Sequence, residues 1–180
     1  SLFDKESLKK AVKGVDYIFH IAGVTFARDI DEFMKGNKDT TKNLLEVTLE
    51  HAPNIKRFLF LSSQTATGPA KSLDKPVDET TICNPITSYG KSKKAAEDEI
   101  IKYKDKIPIT IIRAPAVYGP REEAIYAIFK SVKFGLATMV GFKPKYVSLI
   151  HSEDLSRGIV EAALSENTAG GMVKNGFRYT

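Results

Sequence analysis

Three short apolar runs, at residues 16–21, 57–62 and 109–113, constrain this chain more than anything else in it. None alternates cleanly between apolar and polar residues, so each reads as a strand covered on both faces, the habit of parallel sheets. Helical stretches separate them. Asp4 can cap a first helix that runs to Gly14, a second spans about 31–51 before Pro53, and a third begins near Ser88 and runs past Tyr103 toward Pro108. Strand, helix, strand, helix, strand predicts an α/β fold with a doubly wound parallel sheet.

After Arg113 the pattern changes. Pro115 and the Gly119–Pro120 pair punctuate it, then a helix is expected near 122–134, a strand near 145–150 and a helix opening at Ser152 with Glu153 and Asp154 in its first turn. The reading is a partial dinucleotide-type domain over 1–120 and the start of a smaller lobe over 121–180. An apolar fraction of 42% with 27% charged residues excludes disorder, and no apolar run approaches the length of a membrane span. One cysteine, Cys83, and histidines scattered at 20, 51 and 151 form neither a disulfide framework nor a metal-ligand spacing. The expectation is a reduced, cytoplasmic protein without a metal. The net charge of +5 comes from lysine, since only six of the 27 basic residues are arginine. That balance reads as a solvated surface rather than a nucleic-acid site.

Three segments carry candidate chemistry. Tyr89 and Lys93 stand four apart on the third helix and so share a face. The same stripe continues as Ala96, Ile100 and Tyr103, so Lys93 occupies a core-facing position. A cation there favours the phenolate of a neighbouring tyrosine and brings its pKa toward working pH. Ser62 and Ser63 end the second strand, and ligands of open α/β sheets gather outside the carboxyl ends of strands. Ala22 and Gly23 follow the first strand and let a flat or phosphorylated ligand approach the backbone. Asn37, on the stripe of Phe33, Thr41 and Leu44, turns an amide inward, to brace the sheet or to reach a ligand. Each segment also has a plain structural reading: a surface lysine beside a packed tyrosine, a Ser/Thr turn and a turn glycine. No G-x-S-x-G elbow surrounds Ser63, which argues against a serine hydrolase.

Taken together and in order, these segments and the run from Arg113 to Pro120 resemble the extended short-chain dehydrogenase/reductase family, the NAD-dependent epimerase/dehydratase group. The resemblance implies a Rossmann-type fold and a nicotinamide cofactor, NAD or NADP. It implies Ser63, Tyr89 and Lys93 as catalytic residues, acting on a secondary alcohol or ketone of a small-molecule substrate. Tyr89 would exchange a proton with the substrate oxygen, Ser63 would hydrogen-bond that oxygen, and Lys93 would lower the tyrosine pKa and hold the nicotinamide ribose. Ala22, Gly23, Asn37, Ser62 and Pro115 would line the cofactor alongside Tyr89 and Lys93. In relatives that dimerise, helices matching 31–51 and 88–104 pair between subunits.

The chain departs from the family at its opening. It contains no Gly-x-x-Gly-x-x-Gly turn, and its first residues resemble the segment after the family's third strand, so the resemblance implies a fragment. Nucleotide-sugar enzymes of the group usually carry asparagine where Ala116 stands and arginine where Val147 stands. Their absence leans toward the carbonyl-reductase and hydroxysteroid-dehydrogenase branch. A nucleotide-sugar epimerase or dehydratase is the alternative, and a non-catalytic relative or inactive fragment comes from a different class.

Overall fold

A computed structural model describes residues 1–72, 74–136 and 146–165. The first helix, α1 (Lys5–Val12), starts where the Asp4 carboxylate accepts from the backbone N–H groups of Glu6 and Ser7, at 3.0 and 3.3 Å. Two donors that the helix itself leaves orphaned are thereby satisfied. The strands β1 (Tyr17–His20), β2 (Arg57–Ser63) and β3 (Ile109–Ala114) form one parallel sheet in that order. Between β1 and β2 the chain runs through α2 (Ile30–Phe33), a π-helical segment (Met34–Asp39) and α3 (Thr40–His51). Between β2 and β3 comes α4 (Ser88–Ile101), capped by the Thr87 hydroxyl, which accepts from Gly90 N–H at 3.0 Å.

The absence of alternation has its expected cause in β2, whereas β1 is not covered on both faces: Phe19 is 41% exposed. On one face Phe58 and Phe60 pack with Leu44, Leu45 and Val47 of α3 and with Ala96 and Ile100 of α4. On the other, Leu59 packs with Leu155, Ile159, Ala162 and Ala163 of α6 (Ser152–Leu164). Phe58, Leu59 and Phe60 are at most 1% exposed, each worth about 1.5–3 kcal/mol of transfer free energy. Arg57, at the start of β2, is also buried. It donates to the carbonyls of Ala163 and Ser165 at 3.3 and 2.9 Å, placing a cation at the C-terminus of α6 and fixing that helix to the sheet.

The second helical stretch is not the uniform helix expected over 31–51. Its π-helical segment carries one extra residue in the turn, which re-aims the side chains on either side of it. Thr40 and Thr41 donate their hydroxyls back to the Gly36 and Asn37 carbonyls, both at 2.6 Å. The stripe of Phe33, Asn37, Thr41 and Leu44 is nevertheless buried as expected.

After β3 the short strands β4 (Ala116–Tyr118) and β5 (Leu149–His151) pair in parallel, and α5 (Ala124–Lys133) lies between them in sequence. The expected strand near 145–150 is thus displaced toward its end, and Lys145 lies outside the described residues. The expected helix near 122–134 is α5. Although α6 falls in the stretch expected to open a smaller lobe, its apolar stripe covers β2 and β3.

Candidate active site

The site gathers at the carboxyl ends of β1 and β2. The side chain of Lys93 on α4 is 3% exposed, and its ammonium lies 4.1 Å from the centre of the Phe60 ring. The same Nζ donates to the Leu61 carbonyl at 2.7 Å. A cation over an aromatic face and on a backbone oxygen is held without a direct ion pair to any of the described residues. Burial lowers the Lys93 pKa from 10.5 to about 8, against the opposing charge of Glu97. His20 is also buried beside Phe60, its Nε2 2.8 Å from Thr41 Oγ1 and its ring 5.3 Å from that of Phe60. Burial first and the Lys93 charge second bring the His20 pKa down to about 4, so His20 is neutral at ordinary pH.

Tyr89 begins the same helix, half-buried, with its ring 6.0 Å from that of Phe33. Burial raises its pKa, and hydrogen bonding with the Ser63 side chain pulls it partly back. This differs from the expected lowering by Lys93. Desolvation of the phenol is the larger influence. Ser63 Oγ also accepts from the Thr65 hydroxyl at 2.9 Å. Gly90, next to Tyr89, is a close-approach position, because a Cβ there would stand 2.4 Å from the Thr65 carbonyl oxygen. Only glycine lets the helix carrying Tyr89 sit this near the turn that follows Ser63.

The remaining predicted residues divide in two. Ala22 and Gly23 are exposed at the end of β1, and a Cβ on Gly23 would come within 2.9 Å of Asn37 Oδ1 and 3.8 Å of Lys93 Nζ. They belong with Lys93. The Asn37 amide is occupied: its Oδ1 accepts from Val24 N–H at 2.7 Å, and its Nδ2 donates to the Val24 carbonyl at 3.0 Å and to Ser92 Oγ at 2.8 Å. Of the two roles open to it, it performs the bracing one, tying the loop after β1 to α4. Ser62 points away from Ser63, as successive strand residues must, and its hydroxyl donates to the buried Glu97 carboxylate. Pro115 is buried between β3 and β4.

Glu97, Arg113 and His20 are site neighbours that sequence reasoning missed. Glu97 was reachable, standing one turn beyond Lys93 on the same helix. Arg113 and His20 were not, because their neighbours come from other strands and helices.

Residues 1–174 match the NAD dependent epimerase/dehydratase family. This chain belongs to that family. Among its relatives is an uncharacterized UDP-glucose epimerase of Bacillus subtilis, 32% identical over 143 residues, covering 73% of this chain and 44% of that protein. The sterol-4-alpha-carboxylate 3-dehydrogenase (decarboxylating) of Dictyostelium discoideum is 27% identical over 169 residues, covering 88% and 51%. In fold the chain is similar to the UDP-glucuronic acid 4-epimerase of Bacillus cereus, crystallised with NAD, with a TM-score of 0.79 at 24% identity over 94% of this chain and 56% of that one. The chain spans about half the length of the curated relatives it matches.

For an NAD-dependent family member, the donor set here fits the nicotinamide end of the cofactor. A buried ammonium beside the exposed Ala22–Gly23 backbone suits ribose hydroxyls and a flat ring. The sequence contains no glycine-rich turn of the kind that receives a pyrophosphate at a helix N-terminus. Positions 116 and 147 lie close together, since Ala116 N–H donates to the Ser148 carbonyl at 3.3 Å, and both side chains are exposed. Among the described residues, no helix is long and apolar enough to cross a membrane, and no cluster of three or more potential ligands could hold a metal.

Proposed function

We propose that this chain is the catalytic portion of an enzyme that moves hydride between NAD and a secondary alcohol or ketone of a small-molecule substrate, with Ser63, Tyr89 and Lys93 as the acid–base group. The observation that carries this reading is the buried Lys93 ammonium, four residues after Tyr89 at the carboxyl ends of β1 and β2. When bound, NAD supplies or takes up the hydride. In the reducing direction the Tyr89 hydroxyl gives its proton to the substrate carbonyl oxygen and is left as phenolate. Ser63 Oγ donates to the same oxygen and holds it in place. Lys93 balances the phenolate charge and hydrogen-bonds the nicotinamide ribose. In the oxidising direction the phenolate takes the alcohol proton back.

Tyr89→Phe tests this in the whole protein. Turnover is expected to fall by roughly 10²–10⁴-fold while NAD affinity persists. A variant within a few-fold of the parent removes Tyr89 from the mechanism.

A nucleotide-sugar epimerase or dehydratase is the second reading, favoured by the family and by the name of the Bacillus subtilis relative. It uses the same acid–base group, because its chemistry also begins with hydride abstraction. Against it stand the small or apolar Ala116 and Val147, which offer a diphosphate neither an amide nor a guanidinium. The outward faces of α3 and α4 expose the charged Lys42, Glu50, Lys91 and Asp98.

A further inference from the structure

Glu97 takes no part in the acid–base group, yet its side chain is 1% exposed and fully committed. Oε1 accepts from Ser62 Oγ and, at 3.0 Å, from Arg113 Nε, while Oε2 accepts from the same guanidinium at 2.7 Å. Ser62 and Arg113 are register partners on β2 and β3, so a single carboxylate gathers the ends of both strands. The guanidinium also reaches Cys83 Sγ at 3.3 Å, in the segment leading to α4. Ser63 is the next residue after Ser62, the Leu61 carbonyl that receives Lys93 is the one before it, and Glu97 is one helical turn beyond Lys93.

A buried ion pair is a poor device for stability alone, since well-packed apolar residues commonly serve as well. It is a good device for fixing geometry, because bidentate charge-assisted bonds tolerate little displacement. Resting on the Ser63–Tyr89–Lys93 reading, we propose that Glu97 is a positioning residue. Through Ser62 and Arg113 it clamps the carboxyl ends of β2 and β3 to the helix carrying Tyr89 and Lys93, and its negative charge stands one helical turn along that helix from Lys93. A displacement of about 1 Å at a reacting group costs on the order of 10²-fold in rate, which is what such a clamp prevents.

The charges around Lys93 make the electrostatic half readable. Glu97 and Tyr89 lie on its own helix, Arg113 on β3 is paired with Glu97, and His20 on β1 is neutral. The nearby π-helical segment and α3 bring the uncharged Asn37 and Thr41, and Lys38 of the π-helical segment is paired at 3.7 Å with Glu99, a later residue of α4.

The test is a titration of Lys93 by ¹³Cε NMR in this chain and in Glu97→Gln. The amide keeps an acceptor for Ser62, removes the negative charge and leaves Arg113 uncompensated. The Lys93 midpoint is expected to fall by about half a pH unit or more. A midpoint unchanged from the parent overturns the proposal. Ser62→Ala provides a second measurement that does not depend on Glu97→Gln folding. It keeps the charge and cuts the tie to β2, so amide exchange at Ser63 is expected to quicken about 10-fold, with the Lys93 midpoint unmoved. Exchange at the parent rate overturns the clamp. Neither readout requires turnover, so failure of the clamp and failure of the Tyr89 reading are separately visible.

Discussion

Lys93→Met turns the burial of a charge into a measurable pH dependence. The folded chain holds Lys93 with a pKa of about 8, against 10.5 when the side chain is free in water. At about 1.4 kcal/mol for each tenfold change in proton affinity, that difference is roughly 3 kcal/mol. The sign follows from which state binds the proton more tightly. Below pH 8 both states are protonated and the folded state bears the full cost of burying the ammonium. Between about 8 and 10.5 the folded state loses its proton while the unfolded chain keeps it, so stability rises with pH. By pH 9.5 about 2 kcal/mol of the cost has been relieved.

The variant carries no such group. At pH 7 it removes the buried charge and also leaves the Leu61 carbonyl without its donor, a loss of about 1.5–3 kcal/mol, so the two effects nearly cancel. The informative quantity is the parent-minus-variant difference at two pH values, which cancels the titrating groups that do not interact with Lys93. Urea unfolding of both proteins at pH 7 and 9.5 measures it. The difference is expected to move in favour of the parent by about 2 kcal/mol, or about 1 M in relative midpoint at a typical slope. A change below about 0.5 kcal/mol would show that the ammonium is as well solvated in the folded chain as outside it, and the account of the site would fail.

Two further outcomes follow from neighbouring residues. Gly90→Ala should lower stability by about 1–3 kcal/mol despite alanine's better helix propensity, because its Cβ would meet the Thr65 carbonyl oxygen at 2.4 Å; a thermal midpoint equal to or above the parent's contradicts that contact. His20, with a pKa of about 4, should show no ring-proton titration by NMR near pH 6.5. Since the unfolded ring takes its proton near 6.5 and the folded ring only near 4, this group's share of stability, roughly 3 kcal/mol, is lost as pH falls between those values. A His20 midpoint near 6.5 would refute its burial beside Lys93.

What the sequence determined by itself is everything that depends on local period and punctuation. Runs without alternation announced the strands, and for β2 the cover on both faces, though not for β1, where Phe19 is exposed. Asp4 marked the start of α1, and the four-residue spacing of Tyr89 and Lys93 put both on the sheet-facing side of α4. The order of these segments was enough to identify the family. Tertiary structure decided who meets whom. The pairing of β2 with β3 sets Ser62 beside Arg113, and only then does Glu97 become the point where both converge. The loop after β1 claims the Asn37 amide, and the π-helical segment interrupts a stretch whose hydrophobic pattern looks uniformly helical. The direction of the Tyr89 pKa was decided there too. Spacing places a cation nearby, but only the fold determines that the phenol is desolvated and hydrogen-bonded with Ser63. Periodicity reports which face of an element is buried. Strand register and the side chains brought in from other elements determine what that face touches, and those contacts join residues far apart in the chain.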